Sequence, residues 1–184
     1  RASSEIDLRV AASFMRTLYL LRHAKSSWDN PALSDRERPL NRRGARDAPR
    51  MGEALGKRLS PMVFHVSPAE RAQQTFHALC TTWQGLAAHH GKTTPAIYTF
   101  DYRQILDWIR LCGVLDDSLA LVGHNPAFTE LVCYLVTPNV LDNLPTAGWV
   151  EMRLPIDRWQ DIQSAQHRGE LLYRLFPKAL GSQA

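Results

Sequence analysis

Three short apolar runs that each lead to a basic residue constrain the fold of this 184-residue chain more than any other feature. Residues 18–21 lead to Arg22 and His23, residues 63–66 to Arg71, and residues 119–122 to His124. Apolar runs of four to eight residues that end in polar or charged residues are typical of buried strands. The carboxyl ends of parallel strands share one edge of a sheet, where open α/β folds bind their ligands. The sequence therefore predicts a basic site at such an edge.

Helical patterns separate these runs, and this alternation predicts a mainly parallel sheet that is covered by helices on both faces. The fold class that follows is an α/β three-layer sandwich. We predict strands at residues 17–21, 62–66, 96–98, 119–122, 148–154 and 170–176. We predict helices at residues 41–59, 67–86, 102–114 and from 126 to about 135, with a kink or restart at Pro49 because proline disrupts helix interiors.

The length fits one domain, which we place at residues 15–184 because Met15 directly precedes the first strand. Residues 1–14 are expected to be an N-terminal extension, a remnant of cloning or the remnant of a presequence. Their charges are balanced, and they hold no apolar core of signal-peptide length.

Composition limits the classes of binding partner and the cellular compartment that we expect for this protein. A formal net charge of +4 without interleaved aromatic residues argues against nucleic-acid binding, and the absence of a long apolar run argues against a membrane span. The three cysteines are widely separated, which predicts free thiols in the cytoplasm. The sequence contains neither metal-ligand spacing nor a phosphate-binding P-loop, so we expect no metal and no organic cofactor.

Three motifs together resemble the histidine phosphatase superfamily, whose fold is phosphoglycerate-mutase-like. They are Arg22-His23-Ala24, Ser67-Pro68-x-x-Arg71-Ala72-x-x-Thr75 and Gly123-His124-Asn125-Pro126. Further segments look most like the SixA-type phosphohistidine phosphatases of bacteria. These are residues 22–28, Arg38-Pro39-Leu40-Asn41-x-x-Gly44 and residues 145–148. The resemblance spans about Met15 to Leu180.

Four of these residues have side chains that can take part in the transfer of a phosphoryl group. Arg22 and Arg71 can bind its oxygens bidentately without titrating. A neutral imidazole is a competent nucleophile near neutral pH, and a nitrogen–phosphorus bond is labile enough to hydrolyse afterwards, so His23 is the candidate nucleophile. The resemblance implies that His124 donates a hydrogen bond to the same oxygens.

Three further residues are candidates for binding the substrate. Ser26 can donate a hydrogen bond to a phosphate. Asp29 stands where many members of the superfamily have an asparagine that touches phosphate, and its own charge would repel an anion. Asn125 could orient His124 or cap the following helix, and capping is the favoured interpretation.

The general acid is the clearest departure from the larger phosphatases, which carry a glutamate after the third motif strand. Residues 97–104 contain no glutamate, and Asp101 is the candidate acid there, although it could instead cap a helix. An alcohol leaving group needs a proton from the enzyme, whereas histidine, with a pKa of about 6.5, leaves with little help. The missing glutamate therefore favours a phosphohistidine substrate over a phosphate ester.

Three functions are open at this point. The favoured one is a metal-independent phosphatase that works through phospho-His23 and dephosphorylates a protein, with histidine-phosphotransfer domains or phosphocarrier proteins as partners by resemblance. The second is a small-molecule phosphomonoesterase that uses Asp101 or Asp29 as its acid. The third is a phosphate-recognition module without turnover, which the presence of a nucleophile argues against.

Overall fold

The computed structural model describes residues 15–181, so the predicted extension at residues 1–14 lies outside the described residues. Six strands and four α-helices make up the domain, together with short 3-10 helices. The strands are β1 Arg16–Arg22, β2 Phe64–Val66, β3 Gly91–Thr93, β4 Ser118–Gly123, β5 Trp149–Leu154 and β6 Glu170–Leu175. The helices are α1 Arg42–Arg58, α2 Glu70–Thr82, α3 Tyr102–Leu111 and α4 Ala127–Leu135.

The strands form one sheet in the order β3-β2-β4-β1-β5-β6. The pairs β1 with β4, β2 with β4 and β2 with β3 are parallel, whereas β5 pairs antiparallel with both β1 and β6. The predicted mainly parallel sheet is confirmed. Because β1, β2 and β4 are adjacent and parallel, their carboxyl ends meet at one edge.

Two buried clusters lie on opposite faces of this sheet. One packs α3 and α4 against side chains such as Leu20 and Leu121, and the other packs α1 and α2 against side chains such as Leu21 and Val122. Neighbouring residues of β1 and of β4 thus enter different cores, because successive side chains of a strand point to opposite faces. The two cores explain why these central strands are apolar throughout, and they confirm the three-layer architecture.

The third strand was predicted at the wrong place. Residues 96–98 read as a strand because they are apolar and aromatic, but Pro95–Ile97 forms a 3-10 helix and the strand is the polar segment Gly91–Thr93. This strand lies at the edge of the sheet, where it pairs only with β2 and stays largely exposed. Edge strands are often short and polar, which disfavours pairing with another chain.

The helix ends also differ from the prediction. Helix α1 runs through Pro49 without a restart, and Asn41 caps it by accepting a hydrogen bond from the Gly44 backbone at 2.9 Å. Helix α3 stops at Leu111 because Gly113, with φ of 68°, turns the chain into the left-handed region that favours glycine. Across residues 15–181 we find no helix with the length and apolar character that a bilayer crossing requires.

Candidate active site

The structure brings together four of the predicted site residues: Arg22, His23, Arg71 and His124. The imidazole rings of His23 and His124 lie 5.1 Å apart between centroids. The Arg71 guanidinium lies between them, with Nε 3.3 Å from His23 Nε2 and Nη2 3.4 Å from His124 Nδ1. Arg71 is only 2% exposed, so its guanidinium lies inside the protein although the residue stands in the first turn of α2.

Backbone hydrogen bonds between the strand ends hold these side chains in place. The His23 amide donates to the Gly123 carbonyl at 3.0 Å, and the Ser67 amide donates to the Val122 carbonyl at 3.0 Å. The Arg22 amide donates to the Gly148 carbonyl at 3.0 Å. The three motifs and the start of β5 are therefore joined in one rigid edge.

Thr75, the last residue of the second motif, fixes α2 against the end of β1. Its hydroxyl donates to the Arg71 carbonyl at 2.7 Å and accepts from the Ala24 amide at 2.9 Å. The threonine is fully buried, so both of its hydrogen bonds lie away from water. It thus sets the distance between the turn that carries Arg71 and the strand end that carries His23, a role that the sequence analysis did not assign.

The protonation of His23 follows from its hydrogen bonds. Nδ1 lies 2.7 Å from the Ala24 carbonyl, which can only accept, so Nδ1 carries the proton and Nε2 is unprotonated and accepts a hydrogen bond from Arg71 Nε at 3.3 Å. Burial, followed by the neighbouring His124, lowers the pKa of His23 well below its ordinary value. The ring is therefore neutral at physiological pH and presents a nucleophilic nitrogen beside Arg71.

His124 is neutral for similar reasons. Burial, followed by the charge of Arg71, lowers the pKa of His124 to about 3. Nε2 lies 2.7 Å from the Ser67 hydroxyl, and Nδ1 accepts from Arg71. A hydroxyl can donate or accept, so Ser67 is compatible with either neutral tautomer of His124. Ser67 belongs to the second motif, but the sequence analysis gave it no role.

Arg22 and Asn125 meet at one carbonyl. Arg22 Nη1 donates to the Leu144 carbonyl at 3.0 Å, and Asn125 Nδ2 donates to the same oxygen at 2.8 Å. Asn125 Oδ1 also accepts from the Thr129 amide in the first turn of α4, which fits the favoured capping interpretation. Burial, followed by the charge of Arg71, lowers the pKa of the Arg22 guanidinium. Two arginines beside two neutral histidines leave the site with a strong preference for an anion.

Asp35 is a part of the site that the sequence analysis missed. Arg71 donates to its backbone carbonyl at 2.6 Å and to its carboxylate Oδ2 at 3.0 Å, and the Tyr98 hydroxyl donates to the same Oδ2 at 2.5 Å. Partial burial opposes ionisation of Asp35, but the hydrogen bonds from Tyr98 and Arg71 outweigh it and lower the pKa to about 2. A carboxylate therefore stands beside an anion site.

Arg38 links this carboxylate to the exposed rim of the site. Its Nη2 lies 3.3 Å from Asp35 Oδ1, its Nη1 donates to the Ser26 hydroxyl at 3.1 Å, and its guanidinium stacks 3.5 Å from the ring centroid of Trp28. Trp28 is 73% exposed. The predicted phosphate ligand Ser26 thus contacts an arginine of the site loop, which covers residues 24–40.

Two predicted residues lie apart from the four central side chains. The Asp29 amide donates to the Ser27 hydroxyl, and the residue is exposed on the site loop. Asp101 caps α3 by accepting from the Arg103 amide at 2.9 Å, and the hydrogen bond from the Arg103 guanidinium is the main cause that lowers the pKa of this carboxyl. These contacts match the capping interpretation of Asp101 and leave it ionised. Within residues 15–181, no three histidine, cysteine or acidic side chains are grouped to hold a metal ion.

The burial of neutral His124 predicts that acid destabilises the fold. In the unfolded chain this histidine gains its proton near pH 6.5, whereas in the folded protein it resists protonation down to about pH 3. Its contribution to stability is therefore complete above pH 6.5 and declines as the pH falls toward 3, by roughly 5 kcal/mol in total. We expect His124→Gln to lose less unfolding free energy than wild type between pH 7 and pH 4.5 in urea titrations.

A control for this prediction is His77→Gln, which changes an exposed histidine of α2. We expect it to keep the pH dependence of the wild type. Equal pH dependence in wild type and His124→Gln would show that His124 is not held neutral by its surroundings.

Comparison with known proteins agrees with this geometry. Residues 18–92 match the family model of the histidine phosphatase superfamily (branch 1). The chain is 32% identical over 143 residues to a protein of Arabidopsis thaliana that is named as uncharacterized and chloroplastic. The match covers 73% of this chain and 66% of that relative, just under two thirds of its length.

Solved structures support the same assignment. A SixA structure from Nakamurella multipartitia has a TM-score of 0.73 at 25% identity, covering 89% of this chain and 96% of that one. The structure of the protein histidine phosphatase SixA with tungstate has a TM-score of 0.70 at 22% identity, covering 90% of this chain and 99% of that one. A mycobacterial glucosyl-3-phosphoglycerate phosphatase has a TM-score of 0.60 at 16% identity, covering 86% of this chain and 97% of that one. At these low identities, the tungstate complex and the mycobacterial phosphatase show the fold alone. Part of the chain, residues 18–92, thus matches the histidine phosphatase superfamily, and the chain has the fold of the SixA-type phosphatases.

Proposed function

We propose that this protein is a phosphatase that transfers a phosphoryl group to His23 and then to water, with phosphohistidine on a protein as its preferred substrate. The observation that carries the proposal is the state of His23. Its Nδ1–H donates to a backbone carbonyl, and its unprotonated Nε2 accepts from the Arg71 guanidinium at 3.3 Å. A neutral nucleophile beside a fixed cation is the arrangement that phosphoryl transfer needs.

In the first step His23 Nε2 attacks phosphorus in line with the leaving group. Arg22 and Arg71 would bind the equatorial oxygens, and their positive charges would balance the charge of the transition state. The Ala24 carbonyl stabilises the positive charge that develops on the His23 ring, because Nδ1–H already donates to it. In the second step water attacks phospho-His23, which returns the imidazole as the leaving group.

His124 would serve as a neutral donor in both steps. In the free site His124 Nδ1 accepts from Arg71. When a phosphoryl oxygen replaces Arg71 at this position, His124 Nδ1 must carry the ring proton in order to donate to that oxygen. Ser67 permits this change, because its hydroxyl can turn from acceptor to donor toward Nε2 at 2.7 Å. His124 can thus stabilise the oxygen without becoming an imidazolium, in keeping with a pKa of about 3.

The substrate class rests on the leaving group. The carboxylate predicted as an acid, Asp101, is partly exposed and ion-paired with Arg103, which keeps it deprotonated. Asp35, with a pKa of about 2, is also ionised at neutral pH. A phosphohistidine needs little proton delivery, whereas an ordinary phosphate ester does. This difference supports a phosphoramidate substrate and a mechanism without a metal.

The rim of the site supports a protein as the carrier of the phosphoryl group. Trp28 is 73% exposed and Phe100 is 48% exposed, and both lie near the site through Arg38 and His124 respectively. Exposed aromatic side chains are frequent in protein interfaces. A histidine-phosphotransfer domain or a phosphocarrier protein would suit this role. The cytoplasmic location stays a prediction.

The test compares two substrates on the wild-type protein: a histidine-phosphorylated phosphocarrier protein and 4-nitrophenyl phosphate. We expect kcat/KM to be at least about 100-fold higher for the phosphohistidine, and EDTA to leave both rates unchanged. Faster turnover of the ester would instead favour a small-molecule phosphomonoesterase. Binding of inorganic phosphate without turnover of either substrate would favour a recognition module.

A further inference from the structure

Asp35 presents a carboxylate next to the side chains that would bind an anionic phosphoryl group. It contacts Arg71 and Tyr98 through Oδ2 and Arg38 through Oδ1, and its side chain is 41% exposed. A negative charge there repels a phosphate dianion, so its presence requires an explanation. The need to hold Arg71 in place does not explain the carboxylate sufficiently, because the Asp35 backbone carbonyl already accepts from Arg71 at 2.6 Å.

Part of this carboxylate is open to solvent, since its side chain is 41% exposed. Each carboxylate oxygen has two lone-pair positions, and Oδ1 uses one of them for Arg38 at 3.3 Å. The exposed remainder of the side chain can accept a further donor. Because the group stays ionised down to about pH 2, that donor is best provided by a cation.

Aromatic rings stand beside this carboxylate. The Tyr98 ring lies 5.4 Å from the His124 ring, and Phe100 lies 5.6 Å from His124 and 5.9 Å from Tyr98. The faces of such rings attract cations, and flat rings can stack on them. A carboxylate next to aromatic rings suits a flat, cationic ring with an N–H group.

We propose that Asp35 is the residue that selects the leaving group, by accepting a hydrogen bond from the protonated imidazole ring of the substrate phosphohistidine. This inference rests on the proposed function and deepens it. The ligand chemistry is an N-phosphorylated imidazolium, whose phosphoryl group occupies the arginine and histidine site while its second ring nitrogen faces Asp35.

The step is balanced without an added acid. The His23 Nε2 lone pair forms the new bond to phosphorus, and the electron pair of the breaking nitrogen–phosphorus bond stays on the substrate nitrogen. The substrate ring carries a proton on its other nitrogen throughout, so it leaves as neutral imidazole. Asp35 lowers the barrier by keeping that proton on the ring before the bond breaks, and an ester, which has no such N–H, gains nothing from it.

The test is Asp35→Asn, which keeps the size of the side chain and an acceptor for Arg71 while it removes the charge. We expect kcat/KM for the phosphohistidine protein to fall at least about tenfold. Turnover of 4-nitrophenyl phosphate should fall by a clearly smaller factor, because an ester has no ring N–H for Asp35 to accept and a repulsive charge beside the phosphoryl group is gone. The ratio of the two activities is the readout, and a residue that only positions Arg71 would lower both alike.

The charge-matched control is Asp161→Asn. Asp161 is partly exposed on the 3-10 helix that follows β5, and it pairs with Arg158 rather than with a residue of the site. It should leave the ratio unchanged. A fall of both activities by the same factor in Asp35→Asn would overturn the role of Asp35 and leave the proposed function intact, whereas a wild type that prefers the ester would overturn the substrate class itself.

A second measurement uses the wild type alone and does not depend on the folding of a variant. At pH 6, where much imidazole is protonated, imidazolium chloride should inhibit ester turnover competitively and more strongly than potassium chloride at equal ionic strength. Equal inhibition by the two salts would count against a binding site for imidazolium.

Discussion

Replacing His23 with alanine is expected to lower kcat/KM by at least about 10⁴-fold on phosphohistidine and phosphate ester alike. The reason is that the variant lacks the nitrogen we assign as the nucleophile: the Ala24 carbonyl holds the proton of His23 on Nδ1, which leaves Nε2 unprotonated beside Arg71. The measurement is steady-state turnover of both substrates by purified wild type and His23→Ala.

Binding should survive this substitution. Arg22 and Arg71 remain in place, so we expect the Kd of inorganic phosphate to change by less than about tenfold. Wild type mixed with labelled substrate and quenched in alkali should carry a labelled phosphohistidine, and His23→Ala should carry none. Loss of turnover together with retained phosphate binding would separate the chemical step from substrate capture.

His65→Ala is the matched control for His23. His65 is a half-buried histidine of β2 whose ring packs 4.9 Å from the Trp108 ring of α3 and whose Nδ1 lies 3.4 Å from the Thr94 hydroxyl, so these contacts do not involve the four central side chains. We expect this variant to keep turnover within about twofold of wild type. Residual activity of His23→Ala above about 1% of wild type, or label on that variant, would exclude His23 as the nucleophile.

The meeting of the four central residues could be predicted from the sequence because it depends on sheet topology. Parallel strands bring their carboxyl ends to one edge, so Arg22, His23 and His124 had to be close once β1 and β4 were recognised as adjacent strands. Arg71 follows because it lies in the first turn of the helix after β2. These positions are set by elements whose apolar patterns are strong.

Asp35 and Tyr98 could not be predicted in the same way. Asp35 lies in a loop without a regular apolar period, and Tyr98 lies in a segment that was wrongly predicted as a strand, so no pattern shows which way their side chains point. The site loop folds back through Ser26, whose bridge to Leu40 brings Asp35 over Arg71. The available signal was the length of this loop, since long loops in compact domains are usually functional, but length does not single out a residue.

Close packing explains a further feature that sequence patterns leave open. A Cβ added to Gly44 would lie 2.2 Å from the Lys25 carbonyl oxygen, so α1 can approach the site loop only with glycine at this position. The motif that begins at Arg38 ends in this glycine. Its role became visible only when the two segments were placed side by side.

Replacing Arg71 with alanine has the second large expected effect, and it acts on activity and stability together. Arg71 is 2% exposed and donates to His23, to the Asp35 carbonyl and to the Asp35 carboxylate. Loss of a fixed donor to the phosphoryl oxygens should lower kcat/KM at least about 10³-fold. The cavity and the loss of the hydrogen bonds from Arg71 to Asp35 should lower the unfolding free energy by about 2 to 4 kcal/mol at pH 7.

Arg71→Lys separates charge from geometry. A lysine restores one positive charge, but it cannot donate two parallel hydrogen bonds to a phosphoryl group while it also contacts Asp35. We therefore expect this variant to recover part of the unfolding free energy, as measured in urea, and to stay at least about 100-fold below wild type in kcat/KM.

Arg58→Ala controls for the effect of stability alone. Arg58 donates to both oxygens of the buried Glu151 carboxylate at 3.0 Å, at the end of α1 and away from the four central side chains. Its removal should lower the unfolding free energy while the folded molecules keep their turnover. If Arg71→Ala and Arg58→Ala lost activity only in proportion to the unfolded fraction, Arg71 would be a structural residue, and phosphoryl binding would have to depend on Arg22 and the neutral histidines.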